Sequence, residues 1–502
     1  MIRKLKKYEI LLPIFLLVAE FQLLFPLVKT LFQMLSVANS WPHLVADSAV
    51  FLEQPGLNKG LEGWRALLLP VNEHRMLLSR FVAELPRLFN EPLAAWNVAF
   101  SILLLVASLF AFERCLYYIN KKASALERLV VFFAGSILIL NPWQAENLIW
   151  DINLTWFLQN FLILVSVSIM LPIPHRFPVW FDIFLPPLAI LNGGQGYSVL
   201  LSVGIFRFLL FERKWLLPLV SLLFFLLNSL LPLGLTQSSL WGFNYKFQAI
   251  MLNNWWPASG LWSIVWICLI LIQIQFIKDR ITSEQWKQLC ICSVPFVYGL
   301  LFSLSVNLSR SSLGLKMAER ESYITPLTMV GMGLILTVWL IADIRKSLAF
   351  TYMQIFSLLL PVFVLIPILE AGFTRPSFFQ QQRRMLDEQD RRITWFHCRN
   401  FEKSITPSNC MLTPVYDKWD IIRRSFAKDN FNPIFAGNKA ASDAKLFFLK
   451  QKTADLRRVY LIRHNSRYGK LIFYRKSIIP IAGDQLFELK PESDPVFFKV
   501  VD

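Results

Sequence analysis

The sequence predicts an all-α polytopic membrane protein of about eleven transmembrane helices, with a small α/β or β-rich C-terminal domain. Three observations predict it. The mean hydropathy is +0.47, and 55% of the 502 residues are hydrophobic, more than a soluble core needs. Between Glu9 and Glu370 the ionisable residues are swept into short stretches separating long apolar runs. Beyond residue 370 the long apolar runs stop and short strand-like runs replace them.

A hydrocarbon layer of about 30 Å needs roughly 20 apolar residues per helix. On that measure the spans are 10–35, 93–112, 128–140, 154–171, 179–191, 197–211, 215–235, 258–277, 288–306, 323–342 and 349–370. Those at 128–140, 179–191 and 197–211 are short and are expected to be broken or tilted. The first, Ile10–Leu35, is too long for a signal-peptide core and no small-residue cleavage site follows it, so a retained helix is expected. Residues 1–370 thus form a transmembrane domain interrupted by one long polar loop, 38–92. Residues 371–502 form the second domain.

Lys and Arg in short loops set orientation. The N-terminus carries Arg3, Lys4, Lys6 and Lys7, and if it is cytoplasmic, the same side receives Arg114, Lys121, Lys122 and Arg128. Arg176, Arg213, Lys214, Lys278, Arg280, Lys287, Arg345 and Lys346 follow them there. Loops 141–153 and 192–196, with no Lys or Arg, fall on the other side. This parity places loops 38–92, 236–257 and 307–322 and the tail outside the cytoplasm. The tail carries 24 Lys and Arg against 14 Asp and Glu, so +10 of the net +17 lies there. Its strand-like runs are Lys445–Leu449, Val459–Ile462, Leu471–Tyr474 and Val496–Val501. A net charge of this size raises the question of nucleic acid. The basic residues beside apolar spans answer to membrane orientation and anionic lipid instead, and no nucleic-acid partner is expected.

Four of the six cysteines, Cys115, Cys268, Cys290 and Cys292, lie in or beside apolar spans, where Cys behaves as a small hydrophobe. Cys398 and Cys410 lie in the polar tail and can pair in an oxidising compartment, or be two buried thiols. No Cys/His zinc spacing occurs.

Chemistry-bearing residues gather in the loops assigned to the outer face. Loop 38–92 spaces Trp64, Leu67 and Leu68, then Met76, Leu77 and Phe81, as helices lying on the membrane plane would. Asp47 at its start is either a functional carboxylate or the N-cap of the next apolar run. Asn72-Glu73-His74-Arg75 sets an amide, a carboxylate, an imidazole and a guanidinium in a row, and Arg75 with Arg80 could fork onto phosphate oxygens. The alternative is a solvated helix start with an internal Glu–Arg pair. Loop 141–153 holds Glu146, Asn147, Trp150 and Asp151 without a cation, which suits sugar hydroxyls and CH faces or an ordinary aromatic belt. Asn192-Gly193-Gly194-Gln195-Gly196 reads as a tight turn needing glycine's freedom at positive φ, not as a nucleotide site. Loop 307–322 breaks the charge rule with Arg310, Lys316 and Arg320, for which an anionic phosphate or pairing with Glu319 and Glu321 accounts.

Together these motifs resemble the bacterial members of the GT-C glycosyltransferase superfamily, polytopic enzymes that use polyprenyl-phosphate sugars at the extracytoplasmic face. The resemblance rests on Asp47 followed by Asn72-Glu73-His74-Arg75, on Glu146-Asn147-x-x-Trp150, and on Arg310, Gly314 and Ala318 leading to Tyr323. It covers about residues 1–370. Where such stretches usually close in Ser-Arg-Tyr, this one reads Glu321-Ser322-Tyr323, with Arg320 displaced.

What the resemblance implies is a sugar donor on a polyprenyl phosphate, a glycan or lipid acceptor, and inversion by single displacement. Asp47 would be the base, Arg310, Lys316, Arg320 and Arg75 the phosphate-binding cations, and Glu73, His74, Glu146, Asn147, Trp150 and Tyr323 the residues around substrate and acceptor. No nucleotide cofactor is implied. Metal dependence stays open, because Asp47 and Glu53 could share a divalent ion. The other reading is a lipid or sugar flippase. A transporter should show inverted repeats and midplane charges, yet apart from Glu20 and Lys29 few ionisable residues are expected well inside a span.

Overall fold

The computed structural model describes residues 57–69, 75–89, 93–140, 144, 147, 153–172, 178–211, 215–230, 242–255, 271, 275, 281–319 and 323–346, and three short strands in the tail. The expected spans at 10–35, 258–277 and 349–370 therefore lie outside the described residues, apart from two isolated helical positions at 271 and 275.

Two short helices precede the bundle, α1 (Leu61–Leu67) and α2 (Leu77–Phe89). The bundle follows with α3 (Leu93–Ile119), α4 (Ala125–Ile139), α5 (Leu154–Met170), α6 (Val179–Ile190), α7 (Gly196–Leu210) and α8 (Leu216–Leu230). It closes with α9 (Tyr245–Trp255), α10 (Ser283–Cys292), α11 (Val294–Arg310) and α12 (Ile324–Lys346). Helix α3 packs on α2, α4 and α5, α6 packs on α7 and α8, and α12 packs on α11, α10, α9, α5 and α4.

By length and composition, Trp96–Ile119, Ser283–Leu313 and Ile324–Ile344 can each cross a membrane, and α5 to α8 are shorter apolar helices. Large apolar side chains face outward, among them Phe110 at 73% and Leu209 at 65% exposure. Such a surface suits lipid, where burial on all sides is not required of Leu and Phe. The described helical part is an all-α membrane protein.

Helix boundaries follow local chemistry. Helix α4 opens with a capping box: Glu127 N donates to Ser124 Oγ (3.2 Å), and Ser124 N donates to Glu127 Oε2 (2.9 Å). Thr282 and Gln285 repeat the device at the start of α10. Two expectations change. Helix α3 does not stop at residue 112 but carries Glu113 and Arg114 one turn and more beyond the apolar run, with Arg114 over the Tyr118 ring (5.3 Å). The stretch 236–257, expected to be a loop, holds α9, whose Phe247 and Met251 are fully buried four residues apart on one face.

Helices α11 and α12 approach closely because each offers a glycine to the other. A Cβ on Gly333 would lie 2.4 Å from the Phe296 backbone nitrogen, and one on Gly299 would lie 2.4 Å from Val330 Cγ2. Small residues let apolar helices gain dispersion contact where no hydrophobic effect drives them together.

A buried ion pair joins α6 to α7. Arg207 Nε and Nη2 donate to Asp182 Oδ1 and Oδ2 (3.3 and 3.1 Å), and both side chains are fully enclosed. Asp182 lies three residues inside the start of α6, and Arg207 three before the end of α7. In an antiparallel hairpin these depths match. Both residues lie within about one turn of a helix end, so that few ionisable residues lie well inside a span remains the expectation.

The tail strands β1 (Phe447–Phe448), β2 (Phe487–Leu489) and β3 (Val496–Lys499) form an antiparallel sheet in the order β1-β3-β2. Phe448 and Phe487 both pair with Phe498. β1 and β3 fall within two of the strand-like runs, whereas β2 was not expected. Cys398, Cys410 and the runs at 459–462 and 471–474 lie outside the described residues.

Gly333→Ala should lower the thermal unfolding midpoint of the detergent-solubilised protein, by about 1–3 kcal/mol of overpacking. Gly204→Ala, with nothing within 4 Å of its Cβ, should leave the midpoint in place. Asp182→Ala should cost roughly 3–5 kcal/mol by leaving a buried guanidinium without its carboxylate, and Asp182→Leu combined with Arg207→Met should recover most of it. A double variant as unstable as the single one would show that the pair acts through something other than charge.

Candidate functional site

One end of the bundle collects the start of α2, the ends of α4, α6, α8 and α11, and the starts of α5, α7 and α12. Helix ends leave backbone groups unsatisfied, and amide side chains satisfy them here. Leu77 N donates to Leu191 O (2.8 Å) and Leu78 N donates to Asn192 Oδ1 (2.6 Å), so the loop after α6 caps the start of α2. Asn192 Nδ2 donates in turn to Leu188 O (2.8 Å). From α5, Gln159 Nε2 donates to Ala189 O and Asn192 O (3.1 and 2.9 Å). The turn expected at 192–196 forms with Gly193 at φ +111°, closed by Gly196 N donating to Gly193 O (3.0 Å). Gly196 has no room for a side chain, since a Cβ would lie 2.0 Å from Ala189 O.

Arg75 is buried beside this turn. Its guanidinium donates to Leu68 O, Asn228 Oδ1 and Asn228 O, and Asn228 Nδ2 donates to Tyr197 Oη (3.0 Å). It thereby ties the loop after α1 to α8 and α7, and burial lowers its pKa from the ordinary value, with Tyr197 opposing. Arg80, also buried, donates to Ala66 O; burial pushes its guanidinium down to about 10, while nearby Glu84 pulls the other way.

A second group gathers around Thr325. Asn147 Nδ2 donates to Thr325 Oγ1 (2.6 Å), and Asn160 Nδ2 donates to Thr325 O (2.6 Å). Asn153 Nδ2 donates to Asn147 Oδ1 (2.8 Å), and Trp156 Nε1 donates to Asn153 Oδ1 (2.7 Å). Trp156 stands edge-on to Tyr323 (6.2 Å) and Phe302 (5.3 Å). Gln144 Nε2 reaches back to Leu138 O and Ile139 O, closing the end of α4. A third group joins α9 to α11: Asn307 Nδ2 donates to Asn244 O and Gln248 Oε1 (both 3.0 Å), and Gln248 Nε2 donates to Ser303 Oγ (2.6 Å). Just beyond it Ser311 Oγ donates to Gly242 O (2.8 Å), and Gly314 turns the chain at φ +99°.

Of the residues singled out in the sequence, the structure brings Asn147 and Tyr323 into one group around Thr325 and Trp156. Arg310 is half-buried at the end of α11, next to the Asn307 group. Lys316 lies on a short 3-10 turn, Leu315–Glu319, with its side chain outside the described set. Arg75 is brought instead to α7 and α8, engaged by protein oxygens. Asp47, Glu73, His74, Glu146, Trp150 and Arg320 lie outside the described residues, as does Glu53.

Residues the sequence reading passed over carry much of the geometry: Gln159, Asn160, Asn228, Gln248, Asn307 and Thr325. Their signal was available as polar residues inside, or at the ends of, otherwise apolar helices. The chain matches no family model, no curated protein and no solved structure.

Asn147→Ala should destabilise the solubilised protein by about 1–3 kcal/mol, because it strands Asn153 and Thr325 in a buried site. Thr325→Val removes the same Oγ1 acceptor without changing shape. A double variant no worse than Asn147→Ala alone would confirm that the two share one bond, and additive losses would exclude it.

Proposed function

We propose that this protein is a membrane glycosyltransferase. It would move a sugar from a polyprenyl-phosphate donor to a glycan or lipid acceptor at the bundle end described above, which in this reading faces away from the cytoplasm. The observation that supports it most is the meeting of two motifs far apart in sequence. Asn147, from the Glu146-Asn147-x-x-Trp150 motif, bonds Thr325, two residues beyond Tyr323, which ends the Arg310–Tyr323 motif. The bond sets a residue of the first motif beside the segment that follows the second. Amides and aromatic edges there suit sugar hydroxyls and CH faces. Asn160 Oδ1, buried in the group, has no donor among the described residues.

In this reading Asp47 takes the proton of the acceptor hydroxyl as that oxygen attacks the sugar carbon. The bond to the lipid phosphate breaks, and Arg310 with Lys316 and Arg320 stabilises the phosphate that leaves. Arg75, held by Leu68 and Asn228, belongs to the scaffold of the site in this reading. Glu73, His74, Glu146 and Trp150 would serve sugar and acceptor, as the resemblance implies. A flippase would want charged groups near the bilayer midplane. The buried pair Asp182–Arg207 lies one turn from a helix end instead, so it lends that alternative no support.

The test is sugar transfer in membranes carrying wild-type, Asp47→Asn or Arg310→Ala protein, supplied with a panel of polyprenyl-phosphate sugars. Asp47→Asn should abolish transfer with the protein still inserted, and Arg310→Ala should raise the donor concentration needed. Donor lipid moving between leaflets with no transfer would replace this reading with the flippase.

A further inference from the structure

The stretch that carries Arg310 and Lys316 is held by a segment far from it in sequence, to which the reaction proposed above gives no task. Residues 242–248, leading into α9, lie along the last turns of α11. Gly242 N donates to Leu308 O (3.2 Å), and Gly242 O accepts from Ser311 Oγ (2.8 Å). Four residues before Ser311, Asn307 is fully buried and spends its whole amide on the same segment. Its Oδ1 accepts from Asn244 N (3.0 Å), and its Nδ2 donates to Asn244 O and Gln248 Oε1 (both 3.0 Å). An amide that pairs with both the N–H and the C=O of one residue fixes it as a hydrogen-bonded pair in an antiparallel ladder does. Gln248 Nε2 completes the contact on Ser303 Oγ (2.6 Å).

Asn244 passes the constraint on. Its Oδ1 accepts from Lys246 N and Phe247 N (2.9 and 3.2 Å), the bonds of an N-cap, so the residue held by Asn307 also starts α9. Helix α9 then packs against the 3-10 turn Leu315–Glu319 and against α12. In that turn Ala318 is fully buried, whereas Ser312, Leu313 and Gly314 before it are exposed. Short 3-10 runs have poor hydrogen-bond geometry of their own. The place of this one is set from outside, by α9 on one side and the end of α11 on the other.

We propose that Asn307 is a positioning residue for the 310–319 stretch. Through Asn244 and α9 it sets where Lys316 stands relative to Arg310, and so how well the two hold a lipid-linked phosphate. The inference rests on the reading of those cations as phosphate-binding, and it adds α9, an element that reading leaves idle.

The full-length protein in detergent, titrated with a polyprenyl phosphate and read by native mass spectrometry, tests this. Asn307→Ala should weaken binding on the order of tenfold, because misplaced cations reach the phosphate poorly. Combined with Arg310→Ala, it should cost less than the sum of the two single losses. Gln248→Ala, which removes part of the network, should weaken binding less. Ser309→Ala, whose hydroxyl bonds Ser305 O and Val306 O within its own helix, should bind as wild type does. A purely structural role would lower the melting temperature and the folded yield and leave the dissociation constant of the folded protein unchanged. That result, or full additivity with Arg310→Ala, would overturn the proposal. Where Asn307→Ala does not fold, Gln248→Ala and Ser311→Ala serve instead, and unchanged binding in both would overturn it as well. Binding by wild type without sugar transfer, with the variants weakened as stated, would support this inference and remove the glycosyltransferase; no binding of polyprenyl phosphate by wild type would remove both.

Discussion

The described bundle depends on amide side chains that satisfy helix ends inside an apolar assembly. Where water is scarce, an unpaired backbone group costs several kcal/mol, so a loop that joins two apolar helices must carry its own partners or borrow them. Asn192 and Gln159 show the borrowing. Between them they serve the end of α6 and the start of α2, using side chains from the α6–α7 turn and from α5. That exchange fixes the start of α2 against the loop after α6.

The two ends of the bundle are built from different chemistry as a result. One end is knit by neutral amides, hydroxyls and aromatic edges around Thr325 and Asn307, with Arg75 enclosed at its margin. The other carries exposed lysines, carboxylates and the two capping boxes. Neutral groups can pack into a continuous network because none of them demands a counter-ion. The buried pair Asp182–Arg207 is the exception inside the helices, and its bidentate geometry is what makes an enclosed guanidinium tolerable.

Much of the helical frame was legible from hydrophobic runs and capping signals. The segments expected at 154–171, 179–191 and 197–211 correspond to α5, α6 and α7 within a residue or so at each end, because a run of apolar residues in a membrane protein has one backbone solution. Helix α9 was hidden because Lys246, Gln248, Asn253 and Asn254 dilute its apolar face; contact with α11 and α12 supplies the stability its composition does not announce. The extension of α3 to Ile119 was hidden for a related reason. Charged Glu113 and Arg114 read as a loop, yet at the rim of a bundle such residues continue a helix, Arg114 lying over the Tyr118 ring.

The sequence by itself determined that much of the chain's first part is helical and apolar, and it placed single turns such as the one at 192–196. Those properties follow from the period and length of apolar runs and from single residues such as Gly193, whose backbone conformation other side chains rarely adopt. Only the tertiary structure decided which loops meet. Asn147 and Thr325 are 178 residues apart, Arg75 and Asn228 153, and no local pattern encodes such a pairing. It is set by which helix faces pack, and therefore by glycines such as Gly333 and Gly196 that let two backbones come close enough for distant amides to touch.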